Sequence, residues 1–539
     1  MNKLRFPLLL SILSLGLWAC GDDPKADPDA GSSADAASVD ECTAGETRCD
    51  ADGLQSCEDI DGALVFGTAE SCSEDQICSE DACVDVSAVL QQQATAVRRY
   101  ADDLRDFHGY VGTVDFEQLK ADAIATIFAG DESDYTLSKA VFAIFKAVPQ
   151  GHGAIGFGSL DYADCFDREG LASLGNSSWY GVCARSAGDA SILTFAPDGN
   201  VLGLNPGDKV IGAVKDGETW SAPNFLSRIG EEPLCAASQP SASSQADFSA
   251  TNIFALVDEG DSLEVQRVNG TIETIAVPAR AKASIGCSDP FRRASRTSFF
   301  TTSQREDGVV VAVLPTLGNH ADHPFPAQLT LASYRQWVAD AITLINDDLE
   351  QYTGITGLVW DIRGNRGGAP EYGMALMGTL GATEGNLGNC YGRVVASDPV
   401  AFDETASQYP FPYQIFADSP VPSIAFDGNQ AVVADGIAVS AADWLLYRAD
   451  ALGIPTFGHG GSGAYGYTTG PSYVNKSIAP VADVHLGISS FIAGMKCLDS
   501  ENNVLEGRAP IGTVVDFTPE DLLNGIDTQI EAAAAAVLK

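Results

Sequence analysis

From Gly308 onward the sequence alternates uninterrupted apolar runs with amphipathic stretches, and this pattern narrows the possible folds more than any other. The runs are "VVVAVLPTL" (309–317), "TGLVWDI" (356–362) and "QAVVAD" (430–435). A strand with one face in water alternates apolar and polar residues, so a run without alternation has to be covered on both faces. Between the runs, "LASYRQWVADAITLINDDLEQY" (331–352) and "SAADWLLYRADALG" (440–453) space their apolar residues for helices that supply the cover. The expectation is an α/β domain over 291–539 with a mainly parallel sheet, in which chemistry gathers beyond the carboxyl ends of the strands.

The chain of 539 residues is long enough for several domains at about 150 residues each, and 45% apolar content suffices for packed cores. A formal charge of −42, with no Lys/Arg-rich run, repels phosphate backbones and excludes nucleic acid as a partner. No cofactor is called for, and the acidic residues show no metal-ligand spacing.

Residues 1–20, "MNKLRFPLLLSILSLGLWAC", set Lys3 and Arg5 ahead of an apolar run too short for a permanent span, the pattern of an export signal. Its end, Leu17-Trp18-Ala19-Cys20, resembles the bacterial lipobox, with Trp18 unusual in it. That resemblance implies a lipid on Cys20 and a protein anchored to the bacterial cell envelope, at the outer membrane or cell surface. The alternative is an ordinary secretory signal cleaved near Ala19. Residues 21–40 are Asp, Ala, Ser, Pro and Gly with little to bury, which predicts a disordered tether. Residues 41–86 carry Cys42, Cys49, Cys57, Cys72, Cys78 and Cys83 in a segment too small for a core of its own. Disulfides are the expected staple, with zinc the competing use; the segment has no His and no tight CxxC pair. Further on, order along the chain suggests Cys165–Cys183, Cys235–Cys287 and Cys390–Cys497 among the fifteen possible pairings.

Residues 87–150 read as a helical segment from their three-and-four apolar spacing. Residues 151–290 change to short β-like runs, and "GLNPGDKVIGA" (203–213) with "DSLEVQRVNGTIETIAV" (261–277) resembles the strand-turn and closing hairpin of a PDZ domain, which binds peptide ends by adding them as a strand.

The stretch "GLVWDIRGNRGG" (357–368) starts as a buried strand and ends in charge and glycine, so its amides are open to hold a negative oxygen. Asp361, Arg363, Asn365, Gly367 and Gly368 match the Asp-x-Arg-x-Asn-x-Gly-Gly of the C-terminal processing (tail-specific) peptidases and the related tricorn core protease. The pair Asp361 and Arg363 also serves as loop support without any catalysis. The family's nucleophile run, Gly-x-x-x-Ser-Ala-Ala-Glu, is matched by Gly436, Ser440, Ala441 and Ala442, with Asp443 in place of Glu. The resemblance implies that Ser440 is the nucleophile of a serine-type endopeptidase and that Ala441, with Gly367 or Gly368, forms the oxyanion hole; the plain reading of Ser440 alone is a helix N-cap. The tail-specific branch uses a lysine base, but no lysine lies between Ser440 and Lys476. The tricorn-like branch uses a histidine after its helical layer, which implies His152 in "FKAVPQGHGAIGF"; the alternative is a polar turn residue. His459 is the reserve base, and Glu506 aligns with the family's base-orienting acid, although Gly512-Thr513 replace Pro-Asp in that turn and Gly151 replaces the relay serine. The resemblance spans about Ser87 to the C-terminus and implies a crotonase/Clp-protease-like catalytic domain acting on protein or peptide substrates, or the same fold as an inactive peptide binder.

With Cys20→Ser the protein is expected to move from the membrane to the soluble fraction with its fold intact, because residues 21–40 separate anchor from domains. Fractionation checks this, and continued membrane association would reveal another anchor.

Overall fold

The computed structural model describes residues 42–539 except 51–52, 61–62, 71, 74–75, 80–81, 108–113, 149–151, 158–179, 234–235, 238, 280–297, 329, 379–387, 394–401, 411–420, 467–472, 479–487 and 494. The export signal, Cys20 and the tether therefore lie outside the described residues. The chain divides into two units, Met1–Asp85 and Val86–Lys539.

In the first unit, strands Thr47–Asp50, Gly53–Ile60 and Ala63–Phe66 form an antiparallel sheet, and Gln76–Ser79 pairs with Ala82–Asp85. Leu64 and Ile60 are exposed, so the apolar interior is minimal, and the disulfides Cys42–Cys57 and Cys72–Cys83 close the chain in its place. The side chains of Cys49 and Cys78 are outside what the structure describes.

The second unit is mixed α/β. Its helices Ala88–Phe107, Phe116–Ala129 and Asp134–Ala147 pack through Val97, Leu104, Ile127, Val141 and Ile144. Asp115 and Ser133 cap the second and third by accepting from the amides of Gln118 and Thr136. Residues 183–276 contribute an antiparallel sheet in the order Ile272–Ala276, Ser262–Gln266, Lys209–Lys215, Ser191–Phe195, Cys183–Ser186, with Glu218–Ser221 paired to Lys209–Lys215. The helix Ala242–Leu256 packs on this sheet and starts at Ser241, whose side chain accepts from the Ser244 amide. A second antiparallel sheet joins Ala236–Ala237, Ala154–Phe157, Ile488–Ala493 and Tyr473–Ile478.

The uninterrupted apolar runs form one six-stranded sheet in the order Thr301–Gln304, Val309–Val313, Gly357–Asp361, Gln430–Ala434, Thr456–Gly458, Thr513–Val514. Only the first pairing is antiparallel. Alternate residues explain why the runs do not alternate in polarity. Val310, Ala312, Leu358, Trp360, Val432 and Ala434 face a core with helices Leu331–Leu349, Pro370–Leu376 and Ala441–Ala451. Val309, Val311, Val313, Val359, Ala431 and Val433 face the C-terminal helix Thr528–Val537 through Ile530, Ala533 and Val537. Each Val or Leu so buried contributes about 1.5–3 kcal/mol. The third small sheet, Phe402–Pro410, Gly388–Arg393 and Met495–Asp499, is locked by Cys390–Cys497, a pairing expected from chain order. Cys183 is also disulfide-bonded, whereas Cys165, Cys235 and Cys287 lie outside the described residues.

Peptide mapping of alkylated, non-reduced protein is expected to find Cys42, Cys57, Cys72, Cys83, Cys183, Cys390 and Cys497 unmodified. Alkylation of any of them in oxidised material would contradict the pairing.

Candidate active site

The loop leaving strand Gly357–Asp361 is held by its own charges. The Arg363 guanidinium donates to Asp361 through Nε (2.8 Å) and Nη2 (2.7 Å), and to Asp527 through Nη1 (3.0 Å) and Nη2 (2.6 Å). Burial opposes the charge, but these two carboxylates keep the Arg363 pKa well above its ordinary value. Asp527 is the N-cap of the C-terminal helix, so the loop is tied to that helix as well. Asn365 is fully buried; its Nδ2 donates to the Leu314 carbonyl (2.7 Å) and its Oδ1 accepts from the Gly367 amide (2.8 Å).

Two glycines in this loop have no substitute. A Cβ on Gly367 would lie 2.6 Å from Ser440 Cβ and 2.9 Å from the Ala441 nitrogen. A Cβ on Gly368, where φ is +143°, would lie 2.2 Å from the Gly318 nitrogen. The loop thus touches the backbone of Ser440 because it lacks side chains there.

Ser440 follows strand Gln430–Ala434 and immediately precedes helix Ala441–Ala451. Its backbone has φ +65° and ψ −115°, a conformation that a non-glycine residue adopts at a cost of about 1–3 kcal/mol and that is found where a side chain must be thrust from a tight strand-to-helix turn. The surrounding amides are accounted for in succession. Gly436 donates to Asp247 (2.9 Å), Ile437 and Ala438 to Asp435 (3.1 and 3.0 Å), Val439 to the Asn365 carbonyl (2.9 Å), and Ser440 to Asp443 (2.9 Å). Ala441 is the first amide of the series with no protein acceptor among the described residues, and the Gly368 amide across the gap likewise has none. Asp443 is wholly buried and also accepts from Ser462 Oγ and the Gly463 and Ala464 amides. Burial pushes its carboxyl up to about 7 against the pull of these donors.

Glu506 is buried against the loop that Asp443 anchors, its Oε2 accepting from the amides of Tyr465 and Gly466, both at 3.1 Å. His152 is partly exposed, but its Nδ1 is sealed from solvent without a hydrogen-bond partner, and burial lowers its pKa to about 4. No hydrogen bond joins His152 to Ser440 or Glu506. His459 is engaged at both ring nitrogens. Nδ1 lies 3.3 Å from Asp247 and 3.1 Å from Ser186 Oγ, and Nε2 lies 2.8 Å from Asp516. Burial alone would lower its pKa, but the two carboxylates raise it to about 10, so the ring is an imidazolium at neutral pH. Asp247, Asp435 and Asp443 were not singled out as site residues from the sequence beyond the Asp443 match; Asp435, at the end of an apolar strand as Asp361 is, carried the same signal. Among the described residues no group of acidic, His and Cys side chains is arranged to hold a metal ion.

No protein-family model and no curated protein sequence matches the chain. Solved structures do match its fold. Mature CPAF complexed with lactacystin aligns at a TM-score of 0.53 and 12% identity over 84% of this chain and 98% of that one. Mature CPAF alone aligns at 0.52 and 12% identity over 84% and 97%. A photosystem II D1 C-terminal processing protease aligns at 0.36 and 12% identity over 84% and 98%. The fold of the chain is therefore that of mature CPAF.

The His459–Asp247 contact should appear in the pH dependence of stability. Folding raises the His459 pKa from 6.5 to about 10, so its contribution is complete below about pH 6.5 and is lost as pH rises to 10. Folding lowers the Asp247 pKa despite burial, so that contribution is lost as pH falls through the ordinary carboxylate range. Asp247→Ala is expected to cost about 3–5 kcal/mol near neutrality, and His459→Gln in an Asp247→Asn background to flatten the alkaline decline. Denaturant unfolding from pH 5 to 10 checks both.

Proposed function

We propose that the chain is an exported serine-type endopeptidase, and the observation that carries this reading is the strained backbone of Ser440 next to the open Ala441 amide, with the glycine loop packed against it at Gly367. Ser440 Oγ attacks the scissile carbonyl carbon and its proton passes to His152. The Gly368 and Ala441 amides receive the resulting oxyanion, a donor pair in which each is worth about 10²–10³ in rate. The imidazolium then returns the proton to the leaving amine, and water hydrolyses the acyl-enzyme with His152 again as base. Gly367, Asp361, Arg363 and Asn365 hold the loop, and Glu506 orients the site through the 462–466 loop that it grips together with Asp443. His152 suits the base because it is neutral at working pH; His459, protonated between two carboxylates, does not. A base and nucleophile that meet only in the substrate complex are compatible with the absence of a His152–Ser440 hydrogen bond.

The fold shared with mature CPAF supports a catalytic domain of this kind, which we read as crotonase-like, with the sheet over 183–276 as its PDZ-like insert. On the same reading Cys20 carries a lipid that tethers the enzyme to the cell envelope, and the substrates are proteins or peptides. The missing His152–Ser440 contact favours a second reading, an inactive peptidase fold that binds peptides. Against it, the edge strand Cys183–Ser186 offers little to a peptide, because Asp247 already accepts from the Ser186 amide (3.2 Å) and hydroxyl.

A fluorophosphonate probe is expected to label the wild-type chain and neither Ser440→Ala nor His152→Ala, since members of one nucleophile-base unit fail together. His459→Gln should keep labelling. The acid limb of the labelling rate should fall near pH 4 rather than 6.5, because the base must be neutral and burial lowers its pKa. Labelling of Ser440→Ala, or undiminished labelling of His152→Ala, would refute the assignment.

A further inference from the structure

We propose that Asp435 is a positioning residue that sets the register of the oxyanion hole, with Arg185 of the antiparallel insert as its counter-ion. The inference rests on the peptidase reading and adds to it a residue that contacts neither substrate nor nucleophile.

The two candidate oxyanion donors belong to separate segments. Gly368 closes the loop leaving strand Gly357–Asp361, and Ala441 opens the helix that follows strand Gln430–Ala434. Paired strands fix their own spacing, but both donors lie several residues beyond the last pair of these two strands, Asp361 with Val433; Gly368 is bridged to Leu317 on the far side, which leaves its spacing from the nucleophile segment to other ties. One oxygen spans that gap. Asp435 Oδ1 accepts from the Gly364 amide (2.9 Å) in the first segment and from the Ile437 and Ala438 amides (3.1 and 3.0 Å) in the second. The Val439 amide bonded to the Asn365 carbonyl (2.9 Å) adds a second tie nearer the serine. Three amides converging on one oxygen call for an anion, because an ionised carboxylate is an acceptor on every lone pair and its bonds are about twice as strong as neutral ones.

A buried anion needs a counter-charge. Arg185 Nη1 lies 3.0 Å from Asp435 Oδ2, and both side chains are 5% exposed. Arg185 sits on strand Cys183–Ser186, next to Ser186, whose own hydroxyl and amide meet Asp247. Asp247 in turn accepts from the Gly436 amide. The insert therefore holds the nucleophile loop at two successive points, directly at Asp435 and through Asp247 at Gly436. Oxyanion donors act within tenths of an ångström of where the negative oxygen develops, and a misplacement of about 1 Å can cost about 10²-fold in rate.

Two double variants isolate the role. Arg185→Met with Asp435→Asn removes the ion pair but keeps an acceptor for the three amides; Arg185→Met with Asp435→Leu removes the pair and the acceptor together. Neither leaves a lone buried charge, so both avoid the largest folding penalty. The readout is saturation kinetics of fluorophosphonate labelling, which separates probe affinity (KI) from the phosphonylation step (kinact) whose oxygen enters the oxyanion hole. The Asn variant is expected to keep kinact within about tenfold of wild type. The Leu variant should lose about 10²-fold in kinact, with KI within about threefold and a melting temperature close to that of the Asn variant. Asp435→Glu, which keeps charge and acceptor but displaces the oxygen, is expected to lose at least about tenfold in kinact and serves if the Leu variant fails to fold. Equal kinact in the Asn and Leu variants, a parallel loss of kinact, KI and melting temperature, or an unchanged kinact in Asp435→Glu overturns the inference while the peptidase reading stands. A wild-type chain that does not label overturns the peptidase reading itself and takes the inference with it.

Discussion

The site depends on carboxylates gripping backbone amides. Between Gly436 and Ser440 no amide is left to water: Asp247, Asp435 and Asp443 take four of the five, and the Asn365 carbonyl takes the other. A loop has many accessible conformations, and each amide tied to a buried carboxylate removes some of them. These grips also offset the strain at Ser440, whose left-handed backbone persists because the bonds on either side of it over-determine the turn. The amides that escape the grip, Gly368 and Ala441, are those that a reacting oxygen could use.

The location follows from the parallel sheet. All strands from Val309–Val313 to Thr513–Val514 run in one direction, so their carboxyl ends open on one edge, and Asp361, Asp435 and His459 each follow or end a strand there. The edge would be floppy if helices alone flanked it. Arg363 reaches across to Asp527 and so fastens one loop to the cap of the C-terminal helix, while Arg185 and Asp247 fasten the next loop to the antiparallel insert. The sheet over 183–276 is packed against this edge by buried charge, which makes it part of the candidate site's framework.

Much of this was legible because it is local. Uninterrupted apolar runs such as Val309–Leu317 demand cover on both faces, and the sheet has it; the Asp361-Arg363 pair is separated by two positions and shows in any reading of "DIRGNRGG". Ser440 ahead of an amphipathic helix is equally local. What the sequence hid is long-range. Ser186 meets His459 across 273 positions and Asp247 meets Gly436 across 189, distances at which no periodicity or spacing carries information. Asp435 was overlooked for a different reason: its Oδ1 bonds to Ile437 and Ala438 are local, but its significance lies in Gly364, 71 positions away.

His152 and His459 show how far identity of residue is from identity of role. Each stands between glycines; the tricorn-like resemblance implied His152 as the base and left His459 as the reserve. Burial works on both in the same direction, disfavouring the charged ring. For His152 nothing among the described residues opposes it, and burial lowers its pKa to about 4. For His459, Asp247 on one nitrogen and Asp516 on the other reverse the outcome, and the ring is charged up to about pH 10. A neutral imidazole with a lone pair to spare can take a serine proton; an imidazolium clamped between two carboxylates can only hold structure together. On the peptidase reading, the choice of base therefore comes from which histidine has carboxylate neighbours, and those neighbours are supplied by a helix 212 positions upstream and a loop residue 57 positions downstream of His459.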